Sequence, residues 1–376
     1  MSTQGVLVAM SGGVDSSVAA YLLRQQGYRC EGITMRLYQQ PPTREAGEEN
    51  AAGTPAGTPG GHTCCSLKDV RDASLVAARI GIPYASVDYS VDFRRHVIDK
   101  FIRVYEEGGT PNPCIDCNRY LKFGALLDLA MQKGLDYIAT GHYARVRWDE
   151  ERSRYLLMKA ADERKDQSYV LYRLEQEQLA HILFPLGEMS KDETRQLAEL
   201  LQLGNAHKAD SQDICFVPDG DYVRFMEEYT GRRYPEGDFL DETGRVIGRH
   251  KGAVRYTIGQ RKGLGLSMGA PVYVCGKDMQ RNTVTVGSED HVMARELTAR
   301  DVNWISIDDL TAPMKVTART RYHQKEASGT VRPAEDGRIR FTFDEPVRAA
   351  TPGQALVLYD GDLVVGGGTI ESVRTM

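Results

Sequence analysis

The segment from Ser11 to Ser17 reads SGGVDSS and directly follows the apolar run from Gly5 to Met10. The run predicts a strand, the two glycines predict a turn, and the apolar residues from Val18 onward predict a helix. A glycine-rich turn between a strand and a helix binds anions, because backbone N–H groups and the helix dipole point at the ligand. The spacing therefore predicts a phosphate-binding loop.

This loop lacks the lysine of the common nucleoside-triphosphate loop, in which Gly-Lys-Ser/Thr places an ammonium group on the terminal phosphates. Asp15 and Ser16 stand near the corresponding positions after Gly13. A carboxylate beside hydroxyl groups suits a pyrophosphate leaving group and a metal ion better than transfer of the terminal phosphoryl group. The loop resembles the PP-loop of N-type ATP pyrophosphatases, which split ATP into AMP and pyrophosphate.

A second chemical signal is the segment Thr110–Asn118, TPNPCIDCN, which contains the pair Cys114 and Cys117. Its prolines predict a rigid turn ahead of a helix, and a thiolate near a helix N-terminus is stabilised. A further cysteine, Cys215, lies in the segment DICF. By itself the Cys-x-x-Cys pair is consistent with redox chemistry, zinc or an iron–sulfur cluster, and zinc would need a fourth suitably spaced ligand.

Length and composition predict a globular protein of two or three domains. No apolar stretch is long enough to cross a bilayer and no secretory signal pattern is present, which predicts a cytoplasmic protein with reduced cysteines. The net charge of −5 argues against nucleic-acid binding, but Thr243–Lys277 carries seven Lys or Arg and no acid, and Thr311–Lys325 carries four and no acid. Such segments favour contact with phosphates, with a solvated surface as the alternative.

The first half of the chain alternates between strand and helix patterns. Strands are predicted at Cys30–Met35, Tyr84–Val87 and Asp136–Thr140, and helices at Leu67–Ile80, Val91–Tyr105 and Leu121–Gln132. This alternation predicts an α/β fold with a parallel, doubly wound sheet that binds ligands at the carboxyl ends of its strands. A capping box at Ser190 predicts another helix, and the proline-rich segment Gln39–Gly61 predicts a loop.

The pattern changes after Phe216. A short helix is predicted over Asp219–Tyr229, and from Thr283 onward nearly every segment is a short strand bounded by turn residues, which predicts a small closed barrel. The sequence therefore predicts three domains, at residues 1–216, 217–282 and 283–376.

Taken together, these motifs resemble the tRNA-specific 2-thiouridylases of the MnmA/TrmU family. The blocks that carry the resemblance are SGGVDSS at 11–17, Met35, Cys64-Cys65-Ser66, Thr110–Asn118, Ala139–Ala144, Lys165–Tyr169, Cys215 in DICF, Gly259–Leu264, Thr320-Arg321-Tyr322 and Thr351–Gln354. They span nearly the whole chain in family order. The resemblance implies a Rossmann-like PP-loop domain, a small central domain and a C-terminal β-barrel that contacts tRNA.

The resemblance also implies a sulfurtransferase reaction at the wobble uridine of the tRNA anticodon loop. ATP, with Mg²⁺, would adenylate C2 of the base, and a cysteine desulfurase or a sulfur-relay protein would supply sulfur. Cys215 would carry it as a persulfide, Cys117 would act as the nucleophile, and the two would form a transient disulfide. Asp15 would bind Mg²⁺, with no metal cage built from protein ligands.

The remaining implied roles concern ATP and tRNA. The implied ATP contacts are Ala9, Met10, Ser11, Gly12, Gly13, Val14, Asp15, Ser16, Met35 and Gly141. The implied contacts to tRNA and the target base are Asn112, Pro113, Cys114, His142, Lys165, Asp166, Gln167, Arg321, Tyr322 and Gln354.

The chain departs from many family members at Cys114, where they have Asp. This departure keeps a second mechanism open, in which Cys114, Cys117 and Cys215 hold a 4Fe–4S cluster with one iron open to sulfide. Two further alternatives are a PP-loop ligase or amidotransferase that acts on a small metabolite, and an RNA-binding module whose ATP loop is vestigial.

Overall fold

The computed structural model describes residues 4–38, 67–208 and 214–376. The predicted loop Gln39–Gly61 and the adjacent cysteines Cys64 and Cys65 lie outside the described residues. Within the described part, no helix is both long and apolar enough to cross a membrane.

The first sheet is parallel, as the sequence predicts. Its strands are β1 (Gly5–Ala9), β2 (Arg29–Arg36), β3 (Tyr84–Asp88), β4 (Tyr137–Ala139) and β7 (Ile182–Leu183), in the order β3-β2-β1-β4-β7. The chain leaves β1 toward β2 on one side and later returns to β4 on the other. In such sheets the crevice at this change of direction binds ligands, and both the phosphate-binding loop after β1 and the segment after β4 open onto it.

Helices cover the faces of this sheet. They are α1 (Val14–Gln25), α2 (Leu67–Ile80), α3 (Ser90–Phe93), α4 (Asp99–Glu106), α5 (Pro113–Asp116), α6 (Leu126–Gln132), α7 (Gln176–Leu179) and α8 (Lys191–Leu200). The helix α2 has the predicted bounds. The capping box is confirmed as well: the Ser190 hydroxyl accepts from the Glu193 amide at 3.2 Å, and the Glu193 carboxylate accepts from the Ser190 amide at 2.7 Å.

Two predicted helices contain π-helical segments. Arg94–Ile98 joins α3 to α4, and Cys117–Ala125 joins α5 to α6. The second segment begins at one of the candidate catalytic cysteines, and π-helical turns occur frequently at functional sites.

The central region forms a second sheet. After α9 (Tyr222–Thr230), the strands β8 (Gly237–Leu240), β9 (Val246–His250), β10 (Tyr273–Asp278) and β11 (Thr283–Gly287) pair in the order β10-β11-β8-β9. Because β11 pairs with β8 and β10, the segment from Thr283 belongs to the central sheet, and the boundary at 283 lies one strand too early. Short alternating strands look alike in either sheet, so periodicity alone does not separate them.

The C-terminal region closes into a barrel. Its strands are β12 (Met293–Trp304), β13 (Met314–Arg319), β14 (Ala327–Pro333), β15 (Ile339–Arg348), β16 (Ala355–Asp360) and β17 (Leu363–Thr375). They pair antiparallel in the order β12-β15-β14-β13-β16-β17, and β17 pairs back with β12. A hairpin from the first region, β5 (Arg145–Asp149) and β6 (Arg154–Met158), extends this sheet beside β17.

One apolar core connects the PP-loop region with its neighbours. The buried Tyr169 donates from its hydroxyl to the Ala355 carbonyl of the barrel at 2.9 Å. Tyr105 of α4 stacks on Tyr222 of α9, with ring centroids 4.3 Å apart. These contacts hold the barrel and the central region against the side of the sheet that carries the cysteines.

Candidate active site

The phosphate-binding loop has the geometry of an anion cradle. Gly12 has φ +72°, and a Cβ there would lie 2.4 Å from the Asp69 carbonyl oxygen, so only glycine fits. The hydroxyls of Ser16 and Ser17 donate to the Gly13 carbonyl at 3.1 and 2.9 Å and hold the turn against α1. Gly13 is the N-cap of α1, and no side chain accepts a hydrogen bond from the first amides of the helix there. These amides are therefore directed at the crevice and can bind an anion.

Gly141 closes the opposite side of this cradle. A Cβ at Gly141 would lie 2.6 Å from the Ser16 nitrogen and 2.7 Å from the Asp15 carbonyl carbon. The segment after β4 therefore approaches the first turn of α1 at backbone contact distance. This close approach is the local reason for glycine, and it forms the floor on which a nucleotide would lie.

Asp15 is held by a cation of the protein itself. The Lys191 ammonium lies 2.7 and 2.8 Å from the two carboxylate oxygens, and the side chain of Lys191 is 4% exposed. The Tyr143 hydroxyl also donates to Asp15, at 2.9 Å. Lys191 contacts both oxygens of Asp15, and the role of Asp15 as a magnesium ligand stays a prediction from the sequence.

A second lysine supports the loop from the other side. The Lys208 ammonium donates to the Gly12 carbonyl at 3.1 Å and contacts Asp69 at 2.5 Å and Asp72 at 3.0 Å. Burial lowers the pKa of Lys208, but hydrogen bonds and the charges of the two aspartates outweigh it and raise the pKa overall. The ammonium therefore stays charged beside the cradle.

Sequence reasoning missed Lys191 and Lys208. The only signal for Lys191 was the capping box at Ser190, which placed it at the start of a helix. Lys208 carries no recognisable motif. Both reach the loop through the packing of α8 and the segment after it, which the linear sequence does not show.

Most of the predicted site residues line one cleft of about 750 Å³. Those that line it are Ala9, Met10, Ser11, Gly13, Val14, Asp15, Ser16, Met35, Pro113, Cys114, Cys117, Gly141, His142, Lys165, Gln167, Cys215 and Tyr322. The predicted residues outside the lining are Gly12, Asn112, Asp166, Arg321 and Gln354. The fold thus joins the nucleotide loop and the cysteine segments, which are far apart in the sequence.

The three cysteines of the cleft differ in exposure. Cys114 is exposed, Cys117 is 8% exposed and Cys215 is half-buried, and none of them is joined in a disulfide. The neighbour of Cys215, Phe216, packs edge-on against Phe93 and Phe101 with centroids 5.6 and 5.2 Å apart. This aromatic anchor holds Cys215 at the cleft.

The described residues include the cysteine, histidine and aspartate side chains that line the cleft. No group of three His, Cys, Asp or Glu side chains among them is placed to hold a metal ion. Cys114, Cys117 and Cys215 are all described, and the iron–sulfur cluster held by these three cysteines stays a prediction from the sequence.

His142 lines the cleft as a neutral side chain. Its Nδ1 lies 2.6 Å from the Thr140 hydroxyl. Burial, aided by the charge of Lys122, lowers the pKa of His142 well below 6.5. His142 can therefore offer hydrogen bonds to a base but no positive charge to a phosphate.

The Asp166 carboxylate is used inside the protein. It accepts hydrogen bonds from the Ser168 hydroxyl at 2.9 Å, from the Ser168 amide at 3.1 Å and from Arg319 at 2.9 Å. Its side chain is 1% exposed. In this structure Asp166 therefore binds other parts of the protein and does not face RNA, in contrast to the prediction.

The other predicted residues outside the lining also bridge parts of the protein. Arg321 donates through Nη2 to the Ile258 carbonyl at 3.0 Å and to the Thr351 hydroxyl at 2.9 Å. Gln354 donates to the Thr110 carbonyl at 3.0 Å. These side chains join the barrel to the central region and to the cysteine segment, so they position the cleft instead of lining it.

A parallel sheet with a phosphate-binding turn at its change of strand direction defines a nucleotide-binding α/β protein. Residues 4–219 match the family described as tRNA methyl transferase HUP domain. Residues 223–288 match its PRC-barrel domain, and residues 294–370 match the aminomethyltransferase beta-barrel domain. The fold class and the three-part architecture predicted from the sequence are confirmed.

Curated relatives match over nearly the whole chain. The relative from Acetivibrio thermocellus is 49% identical over 371 residues, which cover 99% of this chain and 100% of that protein. The relative from Moorella thermoacetica is 51% identical over 98% of this chain and 99% of its own length, and the relative from Clostridium perfringens is 47% identical over 99% and 100%. All three are named tRNA-specific 2-thiouridylase MnmA. The chain belongs to the tRNA-specific 2-thiouridylase family.

Proposed function

We propose that the protein converts a uridine of tRNA into 2-thiouridine in an ATP-dependent sulfurtransferase reaction. Membership of the 2-thiouridylase family supports the reaction. The single observation that carries its assignment to particular residues is that the phosphate-binding loop and three cysteines line the same cleft. A nucleotide and a sulfur carrier can therefore act on one base.

The first step of the proposed reaction activates the oxygen on C2 of uracil, which is a poor leaving group. The oxygen on C2 of uracil leaves readily only after adenylation converts it into the oxygen of AMP. The amides at the start of α1 would bind the pyrophosphate, with Gly141 forming the floor. Magnesium would enter with the nucleotide and neutralise the leaving pyrophosphate.

Within this step we assign Asp15 a positioning role. Its contacts with Lys191 and Tyr143 fix the first turn of α1 from below. Because the ion pair neutralises the carboxylate, Asp15 does not repel the phosphates of the nucleotide.

The second step moves sulfur. We assign the persulfide to Cys215, with sulfur supplied by a cysteine desulfurase or a sulfur-relay protein. In one route the terminal sulfur attacks C2 and expels AMP, and the Cys117 thiolate then attacks the Cys215 sulfur and breaks its bond to the transferred sulfur. In the other route Cys117 first releases the terminal sulfur as hydrosulfide, which attacks C2. Both routes expel AMP, oxidise Cys117 and Cys215 to a disulfide and leave sulfur on the base. Such thiols need a reducing compartment, which is the cytoplasm.

The target base must reach the cleft. We propose the wobble uridine, since a base in the anticodon loop is already accessible and needs little unstacking. Pro113 and Tyr322 line the cleft with the cysteines and suit contact with an unstacked base, while Lys165 and Gln167, which also line it, suit contact with the RNA.

The direct test is mass spectrometry of tRNA nucleosides after incubation with ATP, Mg²⁺, a cysteine desulfurase and cysteine. We expect 2-thiouridine in the wild type and none in Cys215→Ser, whereas pyrophosphate release and tRNA binding persist in the variant. Cys275→Ser is the matched control, because Cys275 is half-buried and does not line the cleft. Normal thiolation by Cys215→Ser would refute the assigned role.

A further inference from the structure

The cleft contains one cysteine more than the proposed reaction uses. Cys117 and Cys215 carry out the sulfur transfer described above, but Cys114 also lines the cleft and is the most exposed of the three. Cys117 is 8% exposed. A disulfide between Cys117 and Cys215 would therefore have one sulfur that an external reductant reaches poorly.

Cys114 lies three residues before Cys117 on one helical segment. The segment from Pro113 is helical without a break, with α5 leading into the π-helical segment that begins at Cys117. Side chains three residues apart on a helix lie on one face, with Cβ atoms about 5–6 Å apart. A disulfide needs a Cβ separation of roughly 3.5–4.5 Å, so a small local adjustment joins the two sulfurs.

The surroundings fix Cys114 at the mouth of the cleft. The Asn112 side chain accepts from the Cys114 amide at 3.2 Å and caps the turn. Tyr322 also lines the cleft. Burial raises the pKa of its hydroxyl to about 12, and the charges of Asp166 and of the Cys114 thiolate add to this effect. Cys114 thus faces both the solvent and the site of sulfur transfer.

We propose that Cys114 is the resolving thiol of this enzyme, a role that rests on the proposed function. The Cys114 thiolate attacks the Cys117 sulfur of the Cys117–Cys215 disulfide. A Cys114–Cys117 disulfide forms, the bond to Cys215 breaks, and Cys215 leaves with the electron pair and takes up a proton. Cys215 is then ready for the next persulfide.

An external dithiol completes the cycle. One of its thiolates attacks the exposed Cys114 sulfur and releases Cys117 as a thiolate. Its second thiol then releases Cys114 and forms the disulfide of the reductant. The net change is oxidation of one dithiol for each sulfur atom transferred.

The experiment follows the disulfide through one turnover. The full-length enzyme is loaded with persulfide by a cysteine desulfurase and cysteine, freed of both, and given ATP, Mg²⁺ and tRNA without reductant. The mixture is quenched in acid, alkylated with N-ethylmaleimide and mapped by mass spectrometry without reduction. In the wild type and in the control Cys275→Ser, we expect a Cys114–Cys117 disulfide and an alkylated Cys215.

The variant Cys114→Ser removes the thiol that the resolving step needs. For each 2-thiouridine formed, the variant should accumulate one Cys117–Cys215 disulfide. When dithiothreitol is added together with fresh cysteine desulfurase and cysteine, the wild type should resume thiolation faster than the variant, measured as later turnovers relative to the first in the same protein. A wild type that keeps the Cys117–Cys215 disulfide with Cys114 alkylated overturns the inference, as does a Cys114–Cys215 disulfide.

The tRNA product separates this inference from the function on which it rests. If thiolated tRNA forms and Cys114 is alkylated, only the resolving role fails. If no thiolated tRNA forms in the wild type, the proposed function itself fails.

Discussion

The PP-loop region and the C-terminal barrel use their charged residues in different ways. In the PP-loop region, Lys191 and Lys208 neutralise carboxylates directly beneath the phosphate-binding loop. In the barrel, Arg319 and Arg321 turn inward and hold neighbouring segments together. The two lysines stabilise the phosphate-binding loop, and the two arginines hold together the segments around the cleft.

This difference shows that residue type alone does not locate an RNA contact. In RNA-binding proteins, an arginine commonly contacts a phosphate while an adjacent aromatic residue stacks on an unstacked base. Arg321 and Tyr322 fit that description, yet only Tyr322 lines the cleft. Burial and hydrogen bonds decide which residue of such a pair meets the ligand.

The largest expected effect concerns the floor of the cradle. Gly141→Ala places a methyl group 2.6 Å from the Ser16 nitrogen, so the backbone must move. A displacement of about 1 Å at a reacting centre costs roughly 100-fold in rate. We expect pyrophosphate release to fall by that order. Gly204→Ala is the control, because a Cβ there meets nothing within 4 Å. Equal rates for both variants would contradict the geometry.

The next effect concerns the ion pair below the loop. Lys191→Met leaves the Asp15 carboxylate without its main partner, which should weaken ATP binding and slow pyrophosphate release. Adding Asp15→Asn to Lys191→Met removes the carboxylate charge that has lost its partner. The double variant should therefore recover part of the lost ATP binding and pyrophosphate release. A double-mutant cycle on the Michaelis constant for ATP should give a coupling of about 1–3 kcal/mol. Additive effects would show that the pair does not act as a unit.

A smaller effect is expected in the barrel. Arg321→Ala removes two hydrogen bonds from a charged group and should lower the free energy of unfolding by about 1–3 kcal/mol. The slope of tRNA affinity against salt concentration should stay unchanged. The exposed Arg332→Ala serves as the stability control. A flatter salt dependence in Arg321→Ala would show instead that Arg321 contacts phosphate, and would remove the contrast between the two regions.

The smallest effect depends on pH. The folded state holds His142 neutral because burial lowers its pKa well below 6.5. The unfolded chain therefore takes up the proton first, so this contribution to stability is complete above pH 6.5 and is lost as the pH falls toward the lowered pKa. The melting temperature of the wild type should fall more steeply below pH 6.5 than that of His142→Gln. The exposed His207→Gln should follow the wild type.

Much of the local structure was predictable from particular residues. The helix α2 begins and ends where its apolar spacing predicts, and the Ser190 capping box forms both of its hydrogen bonds. The π-helical segment from Cys117 was not predicted. Over two turns, the spacing of apolar residues in an α-helix, with 3.6 residues per turn, hardly differs from their spacing in a π-helix, which has more residues per turn. The hairpin of β5 and β6 was also missed. Its place in the barrel sheet depends on the pairing of β6 with β17, which lies far along the chain.

By itself, the sequence determined the phosphate-binding loop, the order of domains, the three candidate cysteines and the family. These features depend on short spacings, on glycine, proline and capping chemistry, and on motifs that stay together along the chain. Only the tertiary structure decided that Lys191 neutralises Asp15, that Asp166 and Arg321 face inward, and that Cys114, Cys117 and Cys215 share one cleft with the loop. Those outcomes depend on contacts between distant segments, where burial and hydrogen-bond partners, not residue type, set the role of each side chain.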